Sequence, residues 1–133
     1  MVEMALIMPI MISLMVGGVD FGMAFSAHAT MGKSVRNAAR YLGSLPKAAA
    51  CSSWAIANAK NLAVFGNVTP GTANFALVSG WQTNGGPENN VSVDCSNPTI
   101  VIVSAKIPYN TLVLPGVRTI TLSAQHEEQL IGD

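Results

Sequence analysis

The first third of the chain carries a helical pattern whose two halves differ. From Met4 to Phe25 the residues are almost continuously apolar, with Asp20 as the one charge. From Met31 to Leu42 apolar residues instead recur at i, i+3 and i+4, opposite basic and amide side chains. This pattern predicts one helix from about Val2 to Leu42, apolar all round in its first half and amphipathic in its second, with a kink at Pro9.

The residues that follow predict a second, shorter helix from about Pro46 to Val64. Gly43 ends the first helix, and a proline suits the first turn of the next one. The second helix is rich in alanine, and Gly66 ends it. Its predicted buried stripe consists of Trp54, Ala55, Ala59 and Leu62.

The remainder of the chain predicts β-strands. The segment Arg118–His126 alternates between apolar and hydroxyl side chains, which is typical of a half-buried antiparallel strand. Thr99–Ile107 is rich in β-branched residues and starts apolar on both faces, so we expect it to be central. Phe75–Trp81 and Val91–Cys95 are shorter candidates. The order predicts an α+β fold, with a long helix over residues 1–43 and a globular head over residues 44–133 that contains three or four antiparallel strands.

The apolar run is long enough to cross a membrane. Its 22 residues would span about 33 Å as a helix, against a hydrocarbon core of roughly 30 Å. A cleaved signal sequence would begin with basic residues, whereas Glu3 is the first charge and Lys33 the first basic residue. We therefore predict a retained membrane helix, followed by a basic cluster of Lys33, Arg36, Arg40 and Lys47 at the level of the lipid headgroups.

Composition excludes several classes of protein. Half of the residues are hydrophobic and 11% are charged, which is incompatible with intrinsic disorder. Seven basic and seven acidic residues give a net charge of zero, so no global basic field is available to bind nucleic acid. The sequence shows no catalytic motif, no metal-ligand spacing and no cofactor motif, so we expect a non-enzymatic protein without metal or cofactor.

The two cysteines, Cys51 and Cys95, lie outside the predicted membrane helix. An even pair in this position predicts a disulfide and an oxidising compartment, and two buried thiols are the alternative. A disulfide here would tie the second helix to the sheet and contribute about 4 kcal/mol on the chain-entropy model. The basic cluster alone would place the head in the cytoplasm by the positive-inside rule, and the cysteines favour the opposite orientation.

Two rows of side chains on the first helix predict packing against other helices. Methionines at positions 4, 8, 11 and 15 have heptad-like spacing, and flexible methionines adapt to irregular neighbours. On what the sequence predicts to be another face, small residues repeat every four positions and allow backbones to approach closely. The two rows consist of Met4, Met8, Met11 and Met15, and of Gly18, Gly22, Ser26 and Thr30.

Several motifs together resemble TadE-like pilins of the Tad branch of type IV pili. The opening Glu3–Pro9 resembles their "VEFALVLP" start, and the later motifs follow in the family's order. The resemblance implies a type IV pilin-like fold and a protein that assembles with copies of itself and other pilins. It also implies a prepilin peptidase and a pilus assembly platform as partners. The later motifs are Asp20–Gly22, Asn37–Tyr41, Ile107–Tyr109, Leu114–Gly116 and Thr119–Leu122.

The resemblance gives Glu3 a specific role. Prepilins of this class carry a basic leader that is cut after a glycine, which usually leaves an acidic residue fifth in the mature chain. In this sequence the acid is third, with no leader or glycine before it, so the start is either a mature form lacking two residues or misassigned. We expect Glu3 to pair with the N-terminal amine of a neighbouring subunit, and the alternative is an acid that caps the helix.

These observations predict a structural pilin subunit that polymerises through its apolar helix into an extracellular filament for surface attachment. Before assembly it would lie in the bacterial inner membrane. Asp20 would be either a polar contact in the filament core or the residue at which the helix leaves the bilayer. The alternative function is a single-span, membrane-anchored periplasmic accessory or ligand-binding domain that does not polymerise.

Overall fold

A computed structural model describes residues 2–70, 75–110 and 119–131, with side chains from Leu6 onward. It confirms the predicted α+β fold, with a long N-terminal helix, short helices and a three-stranded antiparallel sheet. The predicted motif Leu114–Gly116 lies outside the described residues. The elements are α1 (Val2–Gly43), α2 (Lys47–Ala50), α3 (Ser53–Phe65), β1 (Asn90–Asp94), β2 (Ile100–Asn110) and β3 (Thr119–Gln129).

The sheet has the order β1-β2-β3, so the strand predicted to be central is central. Its inner face is apolar and buried against the helices, because alternate residues of β2 point to one side: Val101, Val103, Ala105 and Ile107. The outer face carries the intervening residues, among them Ile102, Ser104 and Lys106, and is partly or fully exposed. In β3 the predicted alternation also holds, since Leu122 and Ala124 pack on the core while Thr121 and Ser123 are exposed.

The second half of α1 covers the inner face of the sheet. Met31, Val35, Ala38 and Leu42 are fully buried, and they share one side of the helix because their spacing follows its turn. The stretch from Asp20 to Gly43 rises about 34 Å, which matches the length of the eleven-residue strand β3. The described part of the head therefore extends along α1 as far as β3 does and leaves the stretch from Leu6 to Met15 uncovered.

The prediction of a single second helix is wrong, because this part of the chain forms two helices, α2 and α3. The break falls at Cys51 and Ser52. The Ser52 hydroxyl accepts a hydrogen bond from the backbone N–H of Ala55 at 3.4 Å and so caps the start of α3. The predicted end at Gly66 is confirmed, since this residue adopts a left-handed conformation with φ of 72°.

The predicted buried stripe of this helix is partly wrong. Ala55 and Ala59 are buried, together with Ala63, and this row of small side chains lets α3 pack closely on α1. Leu62 is half-buried, whereas Trp54 is 51% exposed. Trp54 directly precedes the alanine row and points to a different side of the helix, so its large apolar ring lies outside the core.

The strand predicted over Phe75–Trp81 is also wrong, because these residues form turns. Their backbone bonds instead to the end of α3, where the Leu77 N–H donates to the carbonyl of Val64 at 2.8 Å. Val78 and Trp81 are buried three positions apart, while Phe75 is 89% exposed, so burial does not alternate as it would in a strand.

Candidate assembly surface

The first half of α1 has no cover from the residues that the structure describes. All described side chains from Leu6 to Met15 are exposed, including Leu14 at 69% and Met15 at 77%. Leu6–Gly43 is, within the described part of the chain, the one helix long and apolar enough to cross a membrane. An apolar surface of this size on a folded protein marks a contact with lipid or with other protein.

The head begins to contact α1 at Asp20. This residue is 4% exposed, and its Oδ1 accepts a hydrogen bond from the Tyr109 hydroxyl, at the end of β2, at 3.5 Å. Of the two predicted roles for Asp20, this contact within the chain favours the residue at which the helix leaves the apolar environment. Burial, followed by the negative charge of Asp20 and this hydrogen bond, raises the pKa of Tyr109.

A second polar contact between α1 and the head follows closer to the C-terminal end of the helix. His28 Nε2 lies 3.2 Å from the backbone carbonyl oxygen of Ser123 in β3. This contact joins α1 to β3, which is an edge strand of the described sheet. No local sequence signal indicates the roles of His28 and Tyr109, because each depends on a residue about 90 positions away.

The segment of α1 that precedes Asp20, Val2–Val19, is shorter than the predicted apolar run of 22 residues. It would rise about 27 Å, close to the roughly 30 Å thickness of a hydrocarbon core. Phe21 and Phe25 are strongly exposed beside the head, at the level where it begins. The apolar surface therefore continues past Asp20 on the side of α1 that the head leaves open.

The predicted methionine row and small-residue row begin on one face of α1, which corrects the prediction of two separate faces. The helix is continuous, and at about 100° per residue Met8, Met11, Met15, Gly18 and Gly22 fall within about 80° of one another. This face lies opposite the side that packs on the head. We call it the back seam, and its described residues are all exposed: Met8, Met11, Met15, Gly18, Gly22, Ser26, Ala29, Lys33, Arg36 and Arg40.

The small residues then diverge from the back seam. Residues four apart rotate by about 40° per step, so the row from Gly18 to Thr30 moves around the helix toward the head. It reaches a groove of about 320 Å³ between α1 and the turn Leu77–Ser79, lined also by Ser26 and Tyr109. A neighbouring helix that follows this row would cross α1 at a right-handed angle of about −40°, whereas one that follows the heptad-like back seam would cross at about +20°.

The glycines of this surface have room for another backbone. A Cβ added at Gly17, Gly18 or Gly22 would meet nothing within 4 Å. Their lack of a side chain is therefore not required by the head. The side chains of Glu3 and Met4, which the sequence predicts to take part in assembly, lie outside the described residues.

The predicted disulfide between Cys51 and Cys95 is present, with Cα atoms 6.1 Å apart. It joins the break between α2 and α3 to the end of β1 and closes a sequence separation of 44 residues. Such a bond persists in an oxidising compartment. In the residue ranges given above, no group of three His, Cys, Asp or Glu side chains is placed to hold a metal ion.

Comparison with known proteins agrees with the predicted resemblance. Residues 1–40 match the family model of TadE-like proteins, so the similarity is confirmed for the segment that contains the exposed first half of α1 and the whole back seam. It associates the chain with the Tad pilus system and with membrane anchoring. No curated protein and no solved structure gives a significant match.

Proposed function

We propose that this chain is a non-catalytic pilin subunit that polymerises through α1 into an extracellular, Tad-like type IV pilus for surface attachment. The observation that carries the proposal is the exposure of the whole back seam while the head packs on the opposite side of the helix. A helix that served only as an anchor would need an apolar surface in the bilayer. It would not need an open surface that continues along the head.

Assembly would proceed by exchange of lipid contacts for protein contacts. In the inner membrane the uncovered half of α1 lies in lipid, and the disulfide-bonded head lies on the extracytoplasmic side. In the filament the same apolar surface packs against α1 of other subunits, with methionines that adapt to several neighbours and glycines that allow close approach. Other pilins, a prepilin peptidase and an assembly platform would act as partners, as the family similarity implies.

Glu3 would select the position of an incoming subunit. A carboxylate at the apolar end of the helix is costly in a lipid or protein interior unless it is paired. The N-terminal amine of a neighbouring subunit would supply the opposite charge and fix the axial register of the two helices. This pairing is stronger in an apolar filament core than in water, because the local dielectric constant is lower.

The test is to shear filaments from cells, image them and identify their subunits by mass spectrometry. We expect Glu3→Ala to leave the amount of membrane-bound protein unchanged and to lower its incorporation into filaments by on the order of a hundredfold or more, since loss of one partner of a buried ion pair costs about 3–5 kcal/mol. Glu3→Asp, which keeps the charge, is the matched control and should retain more incorporation.

Two results would contradict the proposal at different levels. Normal incorporation of Glu3→Ala would remove the pairing role and leave the helix-capping role. Absence of the unmodified chain from all surface filaments would favour the single-span periplasmic accessory instead.

A further inference from the structure

The C-terminal part of the back seam, from Lys33 to Arg40, is basic. Lys33, Arg36 and Arg40 follow the heptad-like spacing of the methionines and glycines below them, and all three are exposed. None of them contacts a carboxylate among the residues that the structure describes. Three of the seven basic residues of a neutral chain therefore lie on one open line, with no opposite charge against them in the described ranges.

This basic line is too far from the bilayer to be held by lipid headgroups when α1 is upright. The head already covers the helix at Asp20, and Lys33 lies about 20 Å further along the axis. Arg40 is about 10 Å further still. The attraction of an anionic membrane surface falls off within a Debye length of about 8 Å at physiological salt, so these exposed side chains are available to a partner other than lipid.

The opposite side of the molecule carries exposed acids. Asp94 in β1 and Glu127 in β3 share one row on the outer face of the sheet, on either side of Ile102, so they lie about 10 Å apart. Both are exposed. The Ser96 hydroxyl and backbone N–H donate to Asp94 Oδ1 at 2.6 and 2.9 Å, which fixes this carboxylate in place and lowers its pKa.

The two charged surfaces lie at similar positions along the axis of α1, near the C-terminal end of the helix. The row that contains Asp94 and Glu127 is next to Glu128, and Glu128 meets Gly43 at the upper end of α1. Arg40 lies less than one helical turn before Gly43 in the helix, and Arg36 lies about one turn before Arg40. One copy placed behind another with little axial displacement would therefore bring the two surfaces together.

We infer that Arg36 and Arg40, with Lys33, bind the Asp94–Glu127 row of a second copy of this chain, so that subunits pack back to front. This inference rests on the proposed function and adds the contact between heads to it. Because the two surfaces are different and lie on opposite sides of the molecule, the contact is heterologous. Repetition of such a contact produces an open helical assembly rather than a closed dimer.

Charge reversal with rescue tests the contact. We expect Arg36→Glu with Arg40→Glu to lower filament yield by on the order of tenfold, because like charges would then face each other at every subunit. Asp94→Lys with Glu127→Lys should have a similar effect. The chain with all four substitutions should recover most of the yield, because opposite charges again face each other.

Controls separate this contact from general effects of charge and folding. Lys47→Glu with Lys60→Glu changes the net charge by the same amount as the arginine reversal but lies outside both surfaces, so its yield should stay near that of the unmodified chain. Thermal unfolding of each variant checks that the head is folded, and membrane-bound protein is quantified in parallel.

Failure of this inference differs from failure of the proposed function. Unchanged yield of both reversals, in cells where the unmodified chain forms filaments, would overturn the contact and leave the pilin function standing. A reversal of the arginines that lowers membrane-bound protein and is not rescued by the acidic reversal would show a lipid contact and would also overturn it. No filaments from the unmodified chain would overturn both.

Discussion

The two halves of α1 belong to one continuous helix, yet they have opposite surroundings. Every described side chain from Leu6 to Met15 is exposed, whereas Met31, Val35 and Leu42 are fully buried. The difference follows from sequence pattern, because the first half is apolar on all sides and the second has one apolar stripe. A stripe is satisfied by one head in the same chain, whereas an all-round apolar surface needs partners on every side and therefore depends on lipid or other chains.

This comparison predicts that the two halves of α1 affect two different properties, the stability of the head and the assembly of subunits. Substitutions in the covered half should change the free energy of unfolding of the head, while substitutions in the uncovered half should change assembly and leave unfolding unaffected. The following predictions test the separation in order of their expected effect on the free energy of unfolding, measured for the full-length protein in detergent micelles.

The largest effect is expected from Leu42→Ala. Leu42 is fully buried, and truncation of a buried leucine costs about 2–5 kcal/mol. The matched control is Leu14→Ala, at a position that is 69% exposed, where we expect almost no change. Circular dichroism during thermal unfolding measures both. A similar loss in the two variants would show that the uncovered half also supports the head.

The next effect compares the same substitution at a position of α1 that the head covers and at one that it leaves open. A Cβ at Gly43 would lie 2.8 Å from Glu128 Cγ and 3.2 Å from the backbone oxygen of Gln129. We expect Gly43→Ala to destabilise the head by about 1–2 kcal/mol, because overpacking costs about 1–3 kcal/mol and better helix propensity offsets up to about 1 kcal/mol of it. Gly22→Ala, which meets nothing within 4 Å, should stabilise slightly. A stable Gly43→Ala variant would mean that β3 can move away from α1.

The boundary between the two halves was only partly visible in the sequence. Periodicity predicted the helix to within one residue at its end and the central position of β2, because both are set by local hydrophobic pattern. The point where the head begins depends on Tyr109 reaching Asp20, a contact across 89 residues that no local pattern encodes.

Other errors have the same physical origin. Phe75–Trp81 has strand-like composition, but its backbone bonds to the end of α3, so tertiary contacts override propensity there. The predicted buried stripe includes Trp54 beside the alanines, but the close approach of α3 to α1 is made by the alanines and leaves Trp54 51% exposed. The sequence predicts the methionines, the small residues and the basic cluster as separate features, because they differ in chemistry. The continuous helix α1 joins them into the back seam.

A smaller effect is expected at the boundary itself. Tyr109→Phe removes the hydrogen bond to Asp20 and should cost about 0.5–1.5 kcal/mol at neutral pH. Because the pKa of Tyr109 is raised in the folded protein above its ordinary value of 10.0, its contribution is present below that value and is lost as pH rises through the folded pKa. The difference in unfolding free energy between the unmodified protein and the Tyr109→Phe variant should therefore shrink above about pH 10. A difference that is constant with pH would show that the phenol does not titrate against Asp20.

The smallest effect on unfolding, together with a large effect on assembly, is expected from Gly22→Leu. Gly22 lies on the back seam, and a Cβ there meets nothing within 4 Å, so the head has no contact to lose. Leucine is a better helix former than glycine by nearly 1 kcal/mol and is compatible with an apolar environment, so membrane-bound protein and thermal stability should be unchanged or slightly raised.

In a filament the same side chain would occupy the space of a neighbouring helix. Overpacking costs about 1–3 kcal/mol per site, and this cost recurs at every subunit, so sheared filaments should be shortened or lost. Gly18→Leu should behave in the same way. If both variants assemble normally, the back seam does not face other subunits, and the open surface of α1 serves the lipid bilayer alone.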